Sequence, residues 1–146
     1  MLKHLSWCNK RMDWRKLAEL HEARYDHAMC KVTHENESGV VVAGGIDSKG
    51  ETTNSVEYYS FKKQKWRMLA PMIFPRAKFT LESTDTGIVA IGGYSQGEWM
   101  GNIELYDLSA NKWTIINGFK KPIWNHYSFY RDNKMYIFAN LKHSKF

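Results

Sequence analysis

Histidines and cysteines are the first candidates for chemistry in this sequence, because both residue types bind metals and take part in catalysis. The six histidines show none of the paired spacings of a zinc site: His4, His21, His27, His34, His126 and His143. Cys30 and His34 form a single C-x₃-H pair, which supplies two ligands where a structural zinc site needs four. The sequence therefore predicts no metal site.

Nucleophilic catalysis finds no more support in the residue pattern. The sequence contains no Gly-x-Ser-x-Gly elbow, and neither Cys8 nor Cys30 has a base partner at a recognisable spacing. Glu57 and Glu104 are a candidate carboxylate pair, but they stand 47 residues apart at equivalent positions of an internal repeat, which favours a structural role. We therefore predict neither an enzyme nor a bound cofactor.

Charge gives the chain a modest bias toward acidic partners. The 146 residues include 21 Lys and Arg against 15 Asp and Glu, a formal net charge of +6. The basic residues come in short clusters beside turn-like sequence, at residues 62–65 and 120–121. Solvated hairpin tips are the favoured interpretation, and a patch for an anionic ligand is the alternative. Nucleic-acid binding is not expected.

The sequence also favours a cytoplasmic protein over an exported or membrane protein. The longest stretch without charge, residues 86–97, has 12 residues, which is short of the roughly 18 to 20 that span a bilayer. The first residues show no apolar segment of a secretory signal, so we expect both cysteines to be free thiols in a reducing compartment.

An internal repeat carries most of the structural information. Residues 39–45 read GVVVAGG and residues 87–93 read GIVAIGG, so two glycine pairs end two apolar segments 48 residues apart. Each is followed by an acidic residue with a tyrosine, and Trp66 and Trp113 each stand seven residues beyond the last tyrosine. Recurrence of several features at one period and in one order indicates a repeat protein.

Each repeat unit is predicted to contain four β-strands. The apolar segments before the glycine pairs are β-branched on both faces, which is typical of strands that are covered on both sides. The other strands are predicted within residues 24–32, 56–59, 66–69, 76–83, 103–106 and 113–116. Residues 17–23 are expected to be strand and loop, with an amphipathic helix as the alternative.

These units resemble the kelch repeat, which is one blade of a β-propeller. The marks of that repeat are an arginine near a histidine, a strand ending in Gly-Gly, a tyrosine after an acidic residue, and a spaced tryptophan. The positions that carry the resemblance are Trp14, Arg24, Gly44, Gly45, Tyr59, Trp66, Arg76, Gly92, Gly93, Tyr106 and Trp113. The resemblance to the kelch-like family implies an all-β fold of four-stranded antiparallel blades.

Counted in kelch units, the chain holds about three blades' worth of strands. Residues 4–20 match the two outer strands of a preceding blade, residues 21–70 and 71–118 match complete blades, and residues 119–146 match the two inner strands of a last blade. Three blades do not close a ring, so we expect either part of a longer protein without its BTB domain or a homodimer that completes a propeller. A stable open arc is the third alternative.

The resemblance implies a protein-interaction module, of the kind that recognises substrates for Cullin-3 ubiquitin ligases. The alternative is a kelch protein that binds actin. In either case, the loops at one end of the blades would hold the partner, at Arg24, Ile46, Asp47, Ser48, Arg76, Tyr94, Ser95, Gln96 and Trp99. For the two arginines a structural role inside the blade is the competing interpretation, and for Tyr94 and Trp99 partner contact is weighed against packing.

Overall fold

A computed structural model describes residues 5–8, 13–34 and 37–139 of the chain, with side chains from Lys16 onward. Every regular element in these residues is a β-strand. The strands are β1 Leu5–Cys8, β2 Asp13–Lys16, β3 Arg24–Tyr25, β4 Ala28–His34, β5 Glu37–Ala43, β6 Ile46–Asp47, β7 Val56–Ser60, β8 Lys65–Leu69, β9 Thr80–Ser83, β10 Ile88–Ser95, β11 Glu98–Asp107, β12 Lys112–Ile116, β13 Tyr127–Arg131 and β14 Lys134–Phe138.

Two four-stranded antiparallel sheets form the centre of the molecule. The first unit has the order β4-β5-β7-β8, and the second unit has the order β9-β10-β11-β12. Two hairpins, β1–β2 and β13–β14, are separate two-stranded sheets. We refer to residues 119–139, which include β13–β14, as the third unit. The predicted all-β fold of antiparallel four-stranded blades is confirmed, and the described strands form no closed ring.

The strand β10 is covered on both faces, as its uninterrupted apolar sequence predicts. Ile88 and Ala90 join a core cluster with Val41 and Ala43 of the first unit. The alternate residues of β10 belong to a second cluster, which packs against the third unit. Successive side chains of a strand point to opposite faces. The strand β10 therefore packs against the first unit on one face and against the third unit on the other.

The glycine pairs allow the chain to turn tightly where the next unit packs against it. Gly44 and Gly92 have φ angles of +60° and +59°, in the left-handed region. A Cβ atom at Gly44 would overlap the carbonyl oxygen of Arg76, and one at Gly92 would meet Ile123 and His126. Only glycine combines this conformation with such a close approach.

The repeated tryptophans form hydrogen bonds from each unit to the segment that precedes it. The indole nitrogen of Trp66 donates to the Ala18 carbonyl at 2.9 Å, and that of Trp113 donates to the Ala70 carbonyl at 2.9 Å. Trp66 and Trp113 also lie against Tyr59 and Tyr106, at ring-centroid distances of 5.0 and 4.9 Å. The side chain of Trp14 and residue Asn140 lie outside the described part of the chain.

One small sheet was not predicted. Strands β3 and β6 pair through Arg24 with Asp47 and Tyr25 with Ile46, across the end of the first unit where β5 stops. In the second unit the same place holds a single bridge between Ala77 and Tyr94. We refer to this end as the loop end, and to the opposite end, with the turn at residues 61–64, as the hairpin end.

Candidate functional site

The loop end of the first unit is built over a buried arginine. The side chain of Arg24 is inaccessible to solvent and donates to the carbonyl oxygens of Gly44 and Ser55, both at 3.0 Å. It also pairs with the buried carboxylate of Glu57 at 3.0 Å and with the half-exposed Glu22 at 3.2 Å. These bonds tie the segment before β4 to both ends of the long loop between β5 and β7.

The second unit repeats this arrangement around Arg76. Its guanidinium donates to the carbonyl oxygens of Gly92 and Asn102 and pairs with the buried Glu104 at 2.5 Å. Glu104 also accepts from the backbone N–H groups of Ile73 at 2.6 Å and Phe74 at 3.1 Å. Burial lowers the pKa of Arg76, and Glu104 opposes that effect, so the guanidinium stays charged.

The burial of the two arginines corrects their place among the predicted partner contacts. Both side chains are 0% exposed and are occupied by carbonyl and carboxylate groups of their own unit. A partner cannot reach Arg24 or Arg76 without breaking these bonds, so the structural alternative fits both. The arginines shape the loops above them and do not form the accessible surface.

The loop of the first unit holds Ile46, Asp47 and Ser48. Ile46 and Asp47 form β6, and the Asp47 carboxylate accepts from the backbone N–H groups of Glu51 at 3.0 Å and Lys49 at 2.8 Å. These hydrogen bonds, from Glu51 first, hold the pKa of Asp47 below its usual range. Asp47 therefore stabilises its own turn, while Ser48 stands exposed at the tip.

The loop of the second unit is a hairpin tip rather than an irregular loop. Tyr94 pairs with Trp99 and Ser95 pairs with Glu98, so β10 and β11 continue outward to a turn at Gln96. The first unit has the matching bridge between Ile46 and Thr52 at the same repeat positions. The two tips therefore share a backbone plan but carry different side chains.

A cavity of about 390 Å³ lies between these two tips. Ile46 and Thr52 line it from the first unit, and Tyr94 and Gln96 line it from the second. The hydroxyl groups of Thr52 and Ser95 lie 3.5 Å apart. Three predicted site residues, Ile46, Tyr94 and Gln96, are thus brought together across the boundary between two units.

A row of aromatic rings extends from this cavity toward the third unit. Tyr94 contacts Trp99 at 5.3 Å between ring centroids, and Trp99 contacts Trp124 at 6.0 Å. Trp99 is 36% exposed, and the other two rings are half-buried. We refer to Tyr94, Trp99 and Trp124 as the aromatic row. Sequence reasoning missed Trp124, because its place beside Trp99 follows from packing between units and not from the repeat.

Metal binding and thiol reactivity can each be examined in the described residues. Among them, no group of three or more His, Cys, Asp or Glu side chains is placed to hold a metal ion. Burial raises the pKa of the Cys30 thiol to about 12, with a smaller effect from Glu82, so a reactive thiolate is disfavoured. Cys30 and His34 are four residues apart along β4, about 13 Å in an extended strand, too far to bind one ion.

The hairpin end differs in character, because it carries the basic cluster at residues 62–65. The cluster occupies the turn after β7, as the sequence predicts for a hairpin tip. A cavity of about 460 Å³ beside it is lined by Lys63, Lys65 and Arg67, together with Glu37. Glu37 is 3.9 Å from Lys63 and accepts a hydrogen bond from Ser60, so part of the positive charge is already balanced.

Comparison with known proteins identifies the repeat. A family model described as the Kelch motif matches residues 38–73 and residues 75–120, which together make up more than half of the chain. No curated protein matches the chain in a sequence search. In the part of the chain that the structure describes, there is no helix that could span a membrane.

Proposed function

Because the chain belongs to the family of proteins built from Kelch motifs, we propose that its loop end binds a partner protein. Kelch motifs generally mediate protein–protein binding, and their fold is typically a scaffold without catalytic activity.

The observation that carries the proposal is the cavity between the two tips together with the aromatic row beside it. The cavity is lined by the apolar side chain of Ile46 and by polar groups from Thr52 and Gln96. Tyrosine and tryptophan are enriched among the residues that contribute most to binding energy at protein interfaces. A concave, partly polar site next to the exposed indole ring of Trp99 suits a peptide segment with one side chain in the cavity and an apolar side chain on Trp99.

The buried arginines contribute by holding this surface in place. Arg24 and Arg76 each bond to the first carbonyl of the glycine pair and to the carbonyl of a residue at one repeat position, which is Ser55 in the first unit and Asn102 in the second. Both ends of each tip are thereby fixed to the core. A rigid site loses less conformational entropy when it binds, which favours affinity.

We further propose that this chain is the substrate-recognition part of a Cullin-3 ubiquitin ligase adaptor of the kelch-like family. A peptide-binding loop end is the surface such an adaptor needs, and a cytoplasmic location would accompany that role. The proposal predicts that ubiquitination of the bound protein requires Cullin-3, and depletion of Cullin-3 in cells would test it. Ubiquitination that continues unchanged would contradict the adaptor role.

The alternative partner is actin, because a chain with a net charge of +6 suits an acidic surface. The cluster at residues 62–65 lies at the hairpin end, away from the aromatic row. The cavity at the loop end has Glu51 in its wall, so the charge there is not strongly basic. Charge alone therefore favours the opposite end of the molecule for an acidic partner, and the two proposals predict different binding surfaces.

A random peptide library displayed on phage and panned against the protein tests the proposal. Fluorescence anisotropy then measures the affinity of a selected peptide for the wild type, for Trp99→Ala and for Phe61→Ala. Loss of Trp99 should weaken binding at least tenfold, about 1.4 kcal/mol. Phe61 is an exposed aromatic residue at the hairpin end, so Phe61→Ala is the matched control and should bind normally.

Equal affinity of the wild type and Trp99→Ala would contradict the proposed site. Cosedimentation with actin filaments over a series of salt concentrations tests the alternative. Binding that fades as salt rises, and that is the same for the wild type and Trp99→Ala, would indicate a charge-driven contact at the hairpin end.

A further inference from the structure

The outward face of the third unit exposes four aromatic rings, and three of them are stacked. Tyr127, Phe129, Tyr136 and Phe138 lie on one side of β13–β14, because Tyr127 pairs with Phe138 and Phe129 pairs with Tyr136. Phe129 lies 4.8 Å from Tyr136 and 5.9 Å from Phe138 between ring centroids. Tyr127 is 78% exposed and Phe138 is 60% exposed. We refer to these four residues as the aromatic face, which is unusual as an open surface of a sheet.

The repeat shows what covers this face elsewhere in the molecule. Phe138 stands 47 residues after Ile91, which is 0% exposed. Ile91 and Val89 are covered by Met135 and Ile137 on the inner side of the third unit. The aromatic face is therefore the third unit's copy of a surface that, in the second unit, is an interface.

Polar contacts also indicate that the aromatic face corresponds to the face of the second unit that packs on the third unit. Across the interface between the second and third units, Ser128 donates to Glu82 at 2.7 Å and Thr80 lies 3.0 Å from the His126 ring. Phe129 stands 47 residues after Glu82. On the outward face of the third unit an apolar ring thus replaces the carboxylate, so that face is suited to an apolar cover.

The first unit has an exposed face that corresponds to the other side of such an interface between units. Met29 is 56% exposed, whereas Leu81, at the same repeat position 52 residues later, is 4% exposed because it packs in the core between the first and second units. Val40, half-buried, corresponds to Ile88, which is fully buried there. We refer to Met29 and Val40 with the neighbouring Lys31 as the Met29 face. It is the surface that, in the second unit, receives the preceding unit.

We propose that two copies of this chain associate, with the aromatic face of each copy packed on the Met29 face of the other. Each contact then repeats the geometry by which the second and third units already pack within one chain. Two such contacts related by a twofold axis give a closed arrangement of six units, within the four to eight of known propellers. This association is independent of the peptide site at the loop end.

The positions of strands β1 and β14 fit the same arrangement. Strands β1 and β14 each pair with one neighbour within the described residues. In the first unit, Gly39 of β5 pairs with Ser60 of β7, and the corresponding repeat positions are Lys134 in β14 and Cys8 in β1. Pairing of β14 with β1 of the second copy would complete a four-stranded blade with backbone hydrogen bonds between the two strands.

Light scattering after size exclusion tests the proposal with the 146-residue chain. The wild type should have a mass of about 34 kDa, twice the 17.1 kDa of one chain. Phe138→Glu and Met29→Glu, one on each face, should both give a monomer. Ile115→Glu replaces an equally exposed residue on β12, outside both faces, and should leave the dimer intact.

A second measurement examines the pairing itself and does not depend on how the glutamate variants fold. With Cys30 replaced by serine, Lys134→Cys should form an oxidised, disulfide-linked species of twice the monomer mass through Cys8. A folded wild-type monomer would overturn the proposal. So would a dimer that neither Phe138→Glu nor Met29→Glu disturbs, or a Lys134→Cys variant that gives no linked dimer.

Discussion

The first and second units each bind their buried arginine with two carbonyl oxygens and one buried carboxylate, which we call the cradle. The other neighbours of the two arginines differ. Arg24 meets two carboxylates, the buried Glu57 and the half-exposed Glu22. Arg76 meets Glu104 alone, and the position of Glu22 is taken by Phe74. In both units two carbonyl oxygens and one buried carboxylate receive the guanidinium, so this core is the part that the fold requires.

The third unit shows that an apolar side chain can fill the same place. Ile123 stands 47 residues after Arg76, is buried, and lies against Gly92 as the backbone of Arg76 lies against Gly44. The accessible tips vary much more. Tyr94 and Trp99 of the second unit replace Ile46 and Thr52 of the first. We infer that the cradle supports the tips and that the tips determine what is bound.

The largest effect is expected from removing the arginine of the second unit. Arg76→Met leaves Glu104 buried with only two backbone N–H donors, and should lower the free energy of unfolding by about 3–5 kcal/mol. Arg24→Met should lower it by less, because Glu57 keeps the N–H groups of His21 and Glu22 and the His21 ring. Urea denaturation followed by circular dichroism measures both losses.

A double variant separates the buried charge from lost packing. Arg76→Met combined with Glu104→Gln removes the uncompensated carboxylate and keeps an acceptor for one N–H group. It should recover part of the stability lost in Arg76→Met. No recovery, or a loss at Arg24 equal to the loss at Arg76, would contradict this account of the difference between the two units.

The glycine pairs test whether the two units really share one cradle. Gly44→Ala and Gly92→Ala should each cost about 1–2 kcal/mol for the left-handed backbone and about 1–3 kcal/mol for overlap with the following unit. Gly50→Ala is the control, since Gly50 also has a positive φ, of +84°, but has open space around it. Gly50→Ala should lose only the stability that the left-handed backbone costs. Urea denaturation of the three variants measures the additional loss from overlap at Gly44 and Gly92.

A smaller effect is expected from His126, which occupies the position of Phe79 in the second unit. Burial lowers the pKa of His126, and the hydrogen bond to the Ile91 carbonyl only partly opposes this. The folded state therefore favours the neutral ring. Stability from this residue is complete above the unfolded pKa of about 6.5 and is lost as the pH falls toward the lower pKa of the folded state.

The urea midpoint measured between pH 8 and pH 5 checks this sign. His126→Phe, the residue that the second unit uses at this position, should flatten the decline on the acid side. A decline that is equally steep in the wild type and in His126→Phe would show that other groups control the acid sensitivity.

The sequence allowed the strands of both units to be predicted because glycine pairs, tyrosines and tryptophans recur at one period. It left the role of Arg24 and Arg76 open, because their partners Glu57 and Glu104 lie about 30 residues away and the pairing depends on the fold. A local signal was present all the same. An arginine and a glutamate recur together in both units, which is what a conserved internal pair within a repeat would produce.

The candidate site was predicted in part. Ile46, Tyr94 and Gln96 were expected at the loop end and do line one cavity. Trp124 was missed, since nothing in its own segment indicates that it lies beside Trp99. The short pairing of β3 with β6 was also missed, because two-residue strands are set by the approach of distant segments and not by local pattern.

The most direct test of the account exchanges the tips and leaves the cradle intact. Tyr94→Ile with Trp99→Thr gives the second tip the side chains of the first, and affinity for a phage-selected peptide is measured by anisotropy beside the urea midpoint. Binding should be at least tenfold weaker, about 1.4 kcal/mol, with a nearly unchanged midpoint. Unchanged affinity in a folded double variant would contradict the claim that the tips bind the partner.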